Sequence, residues 1–155
     1  MRNPAIAALE VLIGEWSITL SNAWFLDSLE TRQHGRATGR WLGEAFIEFE
    51  AEMEGVPTWH FVFGRSDAEE QSFALYHDPR PTSRVFRMSF DGTEWRLARH
   101  DPDFYQRFIA TVAPDRIEGR WEASDDQGAT WRKDFDLVFE RADRGPQVVP
   151  AEGGG

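Results

Sequence analysis

From Glu15 onward the apolar positions of this chain recur every second residue. The clearest run is Ala45-Phe46-Ile47-Glu48-Phe49-Glu50-Ala51-Glu52-Met53, where positions 45, 47, 49, 51 and 53 are apolar and 48, 50 and 52 are glutamate. Successive side chains leave a strand on opposite sides, so strict alternation predicts one buried face and one wet face. The Glu48, Glu50, Glu52 row is accordingly read as a solvated face. The period returns in short blocks, each set expected to share the inner face: Trp59, Phe61, Phe63; Phe73, Leu75, His77; Phe86, Met88, Phe90; Trp95, Leu97, Arg99. Further along come Phe104, Gln106, Phe108, Ala110, Val112; Ile117, Gly119, Trp121, Ala123; and Trp131, Lys133, Phe135, Leu137, Phe139, Arg141. Turn-forming sequence separates the blocks at Glu54-Gly55-Val56-Pro57, Asp78-Pro79-Arg80-Pro81, Asp91-Gly92, Ala113-Pro114-Asp115 and Asp125-Asp126-Gln127-Gly128. Asp-Gly between alternating runs predicts a hairpin with a type I′ turn, which needs positive φ at both central residues.

These blocks amount to about ten strands joined mostly by hairpins. A meander with one wet face throughout must close on itself or stack as a sandwich. The N-terminal stretch favours closure: apolar residues at 6, 9, 12 and 13, with Asn3 as an N-cap, Pro4 in the first turn and Gly14 as a stop, predict a short amphipathic helix over residues 4–12 that covers one barrel end. The expected fold is all-β, a closed antiparallel up-and-down β-barrel in one domain, residues 1–141, with 142–155 as a disordered tail. Residues 22–34 are too long for a hairpin loop and carry Trp24, Phe25, Leu26 and Leu29. They read equally as a short helix or flap over the barrel mouth and as an extension of the first two strands.

Composition narrows the functional classes. A length of 155 residues suits one core, and no apolar run approaches the roughly 20 residues that span a bilayer. The apolar stretch near the N-terminus is broken by Glu10, so no secretory signal is read and a cytoplasmic location without membrane insertion is expected. The absence of cysteine excludes disulfides, thiolate catalysis and cysteine-ligated metals. A formal net charge of −10 argues against nucleic acid and anionic lipid as partners. Seven Trp and twelve Phe imply an unusually bulky interior.

The segment Leu9-Glu10-Val11-Leu12-Ile13-Gly14-Glu15-Trp16 resembles the Gly-x-Trp opening of the calycins, which include lipocalins, fatty-acid-binding proteins and bacterial lipocalin-like barrels. In those families a short helix precedes a first-strand Trp that packs against a basic residue of the last strand. The resemblance implies that Trp16 pairs with Arg141, and a guanidinium over an indole contributes roughly 0.5 to 2 kcal/mol. Trp41-Leu42-Gly43, Tyr76-His77-Asp78, Met88-Ser89-Phe90-Asp91-Gly92 and the segment from Trp131 to Arg141 are similar to a bacterial lipocalin-like family of unassigned function. The related nitrobindin group binds haem through histidine, but the proline-containing glycine-rich segment associated with that group has no clear match in this sequence.

Polar residues in the inner register carry most of the functional information, because burial of a polar group has to be compensated. They are His77, Arg99, Gln106, Lys133 and Arg141. With Arg141 assigned to Trp16, a set of Arg99, Gln106 and Lys133 would hold an anionic or carbonyl group, or else Arg99 and Lys133 would snorkel into water from strand ends. His77 would donate to a ligand, ligate haem iron or bond a turn. The four histidines lack metal-site spacing, so no metal and no cofactor is expected. The leading expectation is a binding module for a small apolar or aromatic molecule, with or without an acidic group, held by Trp41, Phe49, Trp59, Phe61, Met88 and Trp121 and oriented by His77, Arg99, Gln106 and Lys133. The alternatives are a cofactor-independent isomerase, cyclase or decarboxylase using His77 with Arg99 or Lys133, and a haem-binding barrel. A homodimer would form through side-chain faces, with Phe46 and Val62 as candidates.

Overall fold

The computed structural model describes residues 7–65, 72–101 and 104–142. A six-residue 3-10 helix, Ala7–Leu12, leads into ten strands: β1 (Gly14–Ser21), β2 (Gln33–Leu42), β3 (Phe46–Met53), β4 (Trp59–Arg65), β5 (Ser72–Asp78), β6 (Thr82–Phe90), β7 (Glu94–His100), β8 (Tyr105–Ala113), β9 (Arg116–Ser124) and β10 (Arg132–Arg141). Each strand pairs antiparallel with its sequence neighbours, and β1 pairs with β10 to close the barrel. The fold is therefore the all-β up-and-down barrel that the alternation predicts. Closure satisfies every edge, the condition a meander with one dry face must meet.

At one end the helix and Arg141 form a plug. Leu9 and Leu12 are both buried, since three residues per turn put positions i and i+3 on one side of a 3-10 helix. Trp16, fully buried, donates from its indole Nε1 to the Leu12 carbonyl at 3.2 Å. Arg141 is the register partner of Trp16, and its guanidinium lies 4.1 Å from the ring centroid. It also donates to the carbonyls of Ile13 (2.7 Å), Val11 (2.8 Å) and Pro114 (2.9 Å). The expected Trp16–Arg141 pairing is present, and it ties helix, first strand and last strand together. Residues 4–6 of the expected helix and the tail from 143 lie outside the described residues.

The interior above the plug is a stack of rings. Phe49, Phe63, Trp95, Phe108 and Phe139 meet mostly edge to face, with centroids 5.1 to 6.2 Å apart, the geometry that aromatic quadrupoles favour. Only about 20 Å³ of free space remains among the residues of this layer.

Two expectations about register and one about a turn differ from the structure. In β5 the buried residues are Ala74, Tyr76 and Asp78, so Phe73, Leu75 and His77 belong to the outer face. The cause is the β5–β6 connection: Asp78 pairs with Thr82, Tyr76 with Arg84 and Ala74 with Phe86, which puts the even positions of both strands on one side. In β10 the pairing shifts between Lys133 and Phe135, leaving Asp134 as an extra residue. A one-residue slip turns a side chain to the opposite face, and Lys133 points outward to Asp136 at 3.0 Å. The β6–β7 turn has Gly92 and Thr93 at its centre, with only Gly92 at positive φ (99°), while the Asp91 carboxylate accepts from the backbone N–H groups of Thr93 and Glu94. It is thus not the type I′ turn expected at Asp91-Gly92.

Residues 22–32 form neither helix nor strand. The loop folds at the barrel end opposite the helix, where buried Ala23 and partly buried Leu26 pack on the core. Its tether is the bulged strand: Asn22 donates to Asp136 at 2.6 Å, and the Trp24 indole donates to Asp134 at 2.9 Å. The flap reading is the one realised, as an irregular loop. Among the described residues, no helix is long and apolar enough to cross a membrane.

Candidate binding site

At the end opposite the helix the ring stack stops short of the rim, leaving a cavity of about 380 Å³. That volume falls within the roughly 300 to 1,000 Å³ of small-molecule sites. Trp59 and Phe61 of β4, Phe86 of β6, Trp121 of β9 and Phe135 of β10 supply its aromatic surface, and Phe25 and Val56 reach in from the two mouth loops. Trp59 leans on Phe135 at 5.9 Å, and Phe25 meets Phe135 edge-on at 5.5 Å. A second depression, of about 470 Å³, lies on the outer side of β8, β9 and β10 and has no aromatic residue in its lining. Its outward-facing strand residues include Glu118, Arg120 and Asp136 beside Ile109 and Val138, a mixed surface outside the barrel.

The polar lining of the mouth comes from Tyr76 of β5, Arg80 of the β5–β6 connection, Arg84 of β6 and Gln106 of β8, with Asp78 behind Tyr76 and Arg80. Asp78 has a fully enclosed side chain, accepts from the Tyr76 hydroxyl and forms an ion pair with Arg80. It also accepts the Arg80 backbone N–H at 2.9 Å. The Arg80 guanidinium, with help from these other donors, holds the Asp78 carboxyl well below the usual carboxylate range. Burial, reinforced by that carboxylate, pushes the Tyr76 phenol well above its ordinary value. These three residues form a closed set whose charges cancel.

Arg84 is different. Its guanidinium donates to Gln106 Oε1 at 3.3 Å and lies 5.9 Å from the Tyr76 ring centroid and 5.3 Å from that of Phe104. Among the described residues it forms no ion pair. Burial lowers its pKa, and the like charge of Arg99 lowers it further. Arg99 itself is committed, its largely enclosed side chain lying 2.9 Å from the Asp101 carboxylate and donating to the Phe104 carbonyl. The cavity therefore has two unlike walls: an aromatic one, and one that presents a desolvated cation bonded to a neutral amide.

Of the residues expected to touch a ligand, Trp59, Phe61, Gln106 and Trp121 line this cavity. Arg99 sits behind Arg84 as an electrostatic neighbour. Phe49 is part of the ring stack below, Met88 is buried nearer the closed end, and Trp41 packs half-buried against the core. None of these three lines the mouth. His77 is exposed on the outer face, stacked on His60 at 4.7 Å, and Lys133 is exposed outside β10. His34, His60 and His100 likewise lie outside the cavity lining, so no imidazole reaches it from within. The residues present do not fit haem held inside the barrel by histidine, and the acid or base proposed for His77 is not in the pocket. Phe46 and Val62 sit on the outer face beside exposed Leu42, Leu75 and Val85.

The residues that reading by pattern missed are Arg84, Tyr76, Asp78, Arg80, Phe86 and Phe135 as site components. Arg84 was accessible, since it lies two residues before Phe86 in the same inner register. Tyr76 and Asp78 follow once the Asp78–Thr82 turn sets the phase of β5.

No protein family matches the sequence, and no curated protein matches it. Among solved structures the chain is similar to the crystal structure of Rv2717c from M. tuberculosis, with a TM-score of 0.66 and 12% identity over 92% of this chain and 99% of that one. That likeness is one of fold, the closed β-barrel described above. A fainter likeness, to the structure of EF1p2_mFAP2b bound to DFHBI, has a TM-score of 0.43 and 9% identity over 87% of this chain and 97% of that one. At that distance it carries no argument.

Proposed function

We propose that this barrel binds a small amphipathic molecule at its open end, as a carrier or sensor. The apolar body lies on Trp59, Phe61, Phe86, Trp121 and Phe135, and a polar group faces Arg84 and Gln106. The observation that carries the reading is the contrast along the barrel axis: rings fill the lower interior almost completely, whereas about 380 Å³ stays open above them. The polar rim also favours binding over acid–base chemistry. Tyr76 holds its proton firmly and Asp78 is saturated by its donors, so neither is poised to move a proton near neutral pH.

The test is titration with N-phenyl-1-naphthylamine, a neutral probe whose emission rises and shifts to the blue in apolar surroundings. The expected result is saturable binding of one probe per chain. Emission that stays at the level of free probe in buffer would remove the basis of the proposal.

A further inference from the structure

The shape and charge of the mouth narrow the class of ligand, an inference that rests on the binding reading above. Depth is the first constraint. Phe61 and Trp121 line both the cavity and the nearly filled layer beneath it, so the open space ends at their rings. A long alkyl chain requires a channel down the barrel axis, and Phe49, Phe63, Trp95 and Phe108 occupy that path. The space is closed off below by these rings, which suits a compact body.

The wall is the second constraint. Trp59, Phe135 and Phe25 form one continuous aromatic surface through their 5.9 Å and 5.5 Å contacts. Flat rings gain from offset or edge contacts with such a surface beyond the area they bury. The third constraint is charge. Arg84 carries a planar fork of donors that matches a carboxylate two bonds at a time. Gln106, which accepts from Arg84 through Oε1, has amide N–H donors to offer the same group. The nearby Asp78 is neutralised by Arg80 and does not compete with a second anion.

We propose that the mouth recognises a compact aromatic carboxylate, of one or two fused rings with a single acid group, held by Arg84 and Gln106 against the Trp59–Phe135–Phe25 wall, and that it discriminates against long-chain fatty acids.

The experiment is calorimetric titration of the full chain with 2-naphthoate, its neutral isostere 2-naphthamide, and dodecanoate. The naphthoate should bind one to one, tighter than either other compound by roughly tenfold or more, the effect of one charge-assisted contact. Arg84→Gln should erase the preference for acid over amide, and Arg84→Lys should restore part of it, with circular dichroism confirming that both variants fold. Equal affinity for the amide, tighter binding of dodecanoate, or a preference that survives in Arg84→Gln would each overturn this assignment while N-phenyl-1-naphthylamine still bound. Failure of all four compounds to bind would overturn the assignment together with the binding reading.

Discussion

Replacing Arg141 by Met tests how the barrel is closed. Methionine keeps an unbranched apolar stem over Trp16 and removes the donors, so the change isolates the guanidinium from its packing. Two of the lost bonds, to Ile13 and Val11, are partly shielded from water, and the one to Pro114 is exposed. With about 1 to 1.5 kcal/mol for each shielded bond, less for the exposed one, and roughly 0.5 to 2 kcal/mol for the cation over the indole, the loss comes to about 3 to 5 kcal/mol. The 3.9 Å approach to the exposed Asp115 adds nothing measurable. Since small domains are stable by only about 5 to 15 kcal/mol, the effect is large. In urea, with a slope of about 1 to 3 kcal/mol per molar, the midpoint should fall by 1 M or more. Arg141→Lys should resemble Met more than wild type, because one ammonium cannot span three carbonyls and stack at once. A loss below about 1 kcal/mol in Arg141→Met would refute the claim that this side chain seals the helix to the barrel.

Other substitutions probe the rest of the account. Gly39→Ala should destabilise by at least about 1 to 3 kcal/mol, because a Cβ there would meet the Leu12 carbonyl oxygen at 2.1 Å and force the helix off the barrel end; thermal unfolding measures it, and an unchanged Tm would contradict the packing. Asp78→Asn should cost about 1 to 3 kcal/mol at neutral pH by weakening the acceptor for Tyr76 and Arg80. Because the folded-state pKa of Asp78 lies below its ordinary value, its contribution is present above the ordinary carboxylate range and lost as pH falls toward the folded value. The stability gap between wild type and variant should therefore start to narrow below about pH 4, and a gap constant down to pH 3 would contradict the sign. His77→Ala and Lys133→Ala should leave ligand affinity within twofold of wild type, since both side chains lie outside the barrel; a tenfold loss in either would show that the assigned faces are wrong.

The fold was legible from the sequence because period two is unambiguous wherever apolar and charged residues alternate, as in β3. The end plug was legible through two residues, Trp16 and Arg141. The site was legible only in part, and the failures have physical causes. Phe73-Ala74-Leu75-Tyr76 is apolar in both phases, so hydrophobicity alone favours the bulkier pair, Phe73 and Leu75. The true phase is set across the hairpin: the short Pro79-Arg80-Pro81 connection pairs Tyr76 with Arg84, and Arg84 shares a face with Phe86. Lys133 was out of reach, because nothing local to β10 marks the bulge. It exists where Asp134 is diverted to hold the Trp24 indole of the mouth loop, a contact between residues 110 positions apart. Phe49 and Met88 were placed correctly on the inner face, but alternation cannot separate a residue that fills the barrel from one that lines its opening. That distinction depends on height along the axis, which only the register of all ten strands supplies.

The seven tryptophans are built-in reporters of that height. Trp59 and Trp121 line the mouth, Trp95 lies in the filled layer, and Trp16 is sealed at the closed end. Their indole N–H resonances, assigned in nitrogen-15-labelled protein and followed during titration with N-phenyl-1-naphthylamine, report where a ligand enters. Entry at the mouth should shift Trp59 and Trp121 strongly while Trp16 and Trp95 stay in place. Shifts at Trp16 with Trp59 and Trp121 unmoved would contradict it.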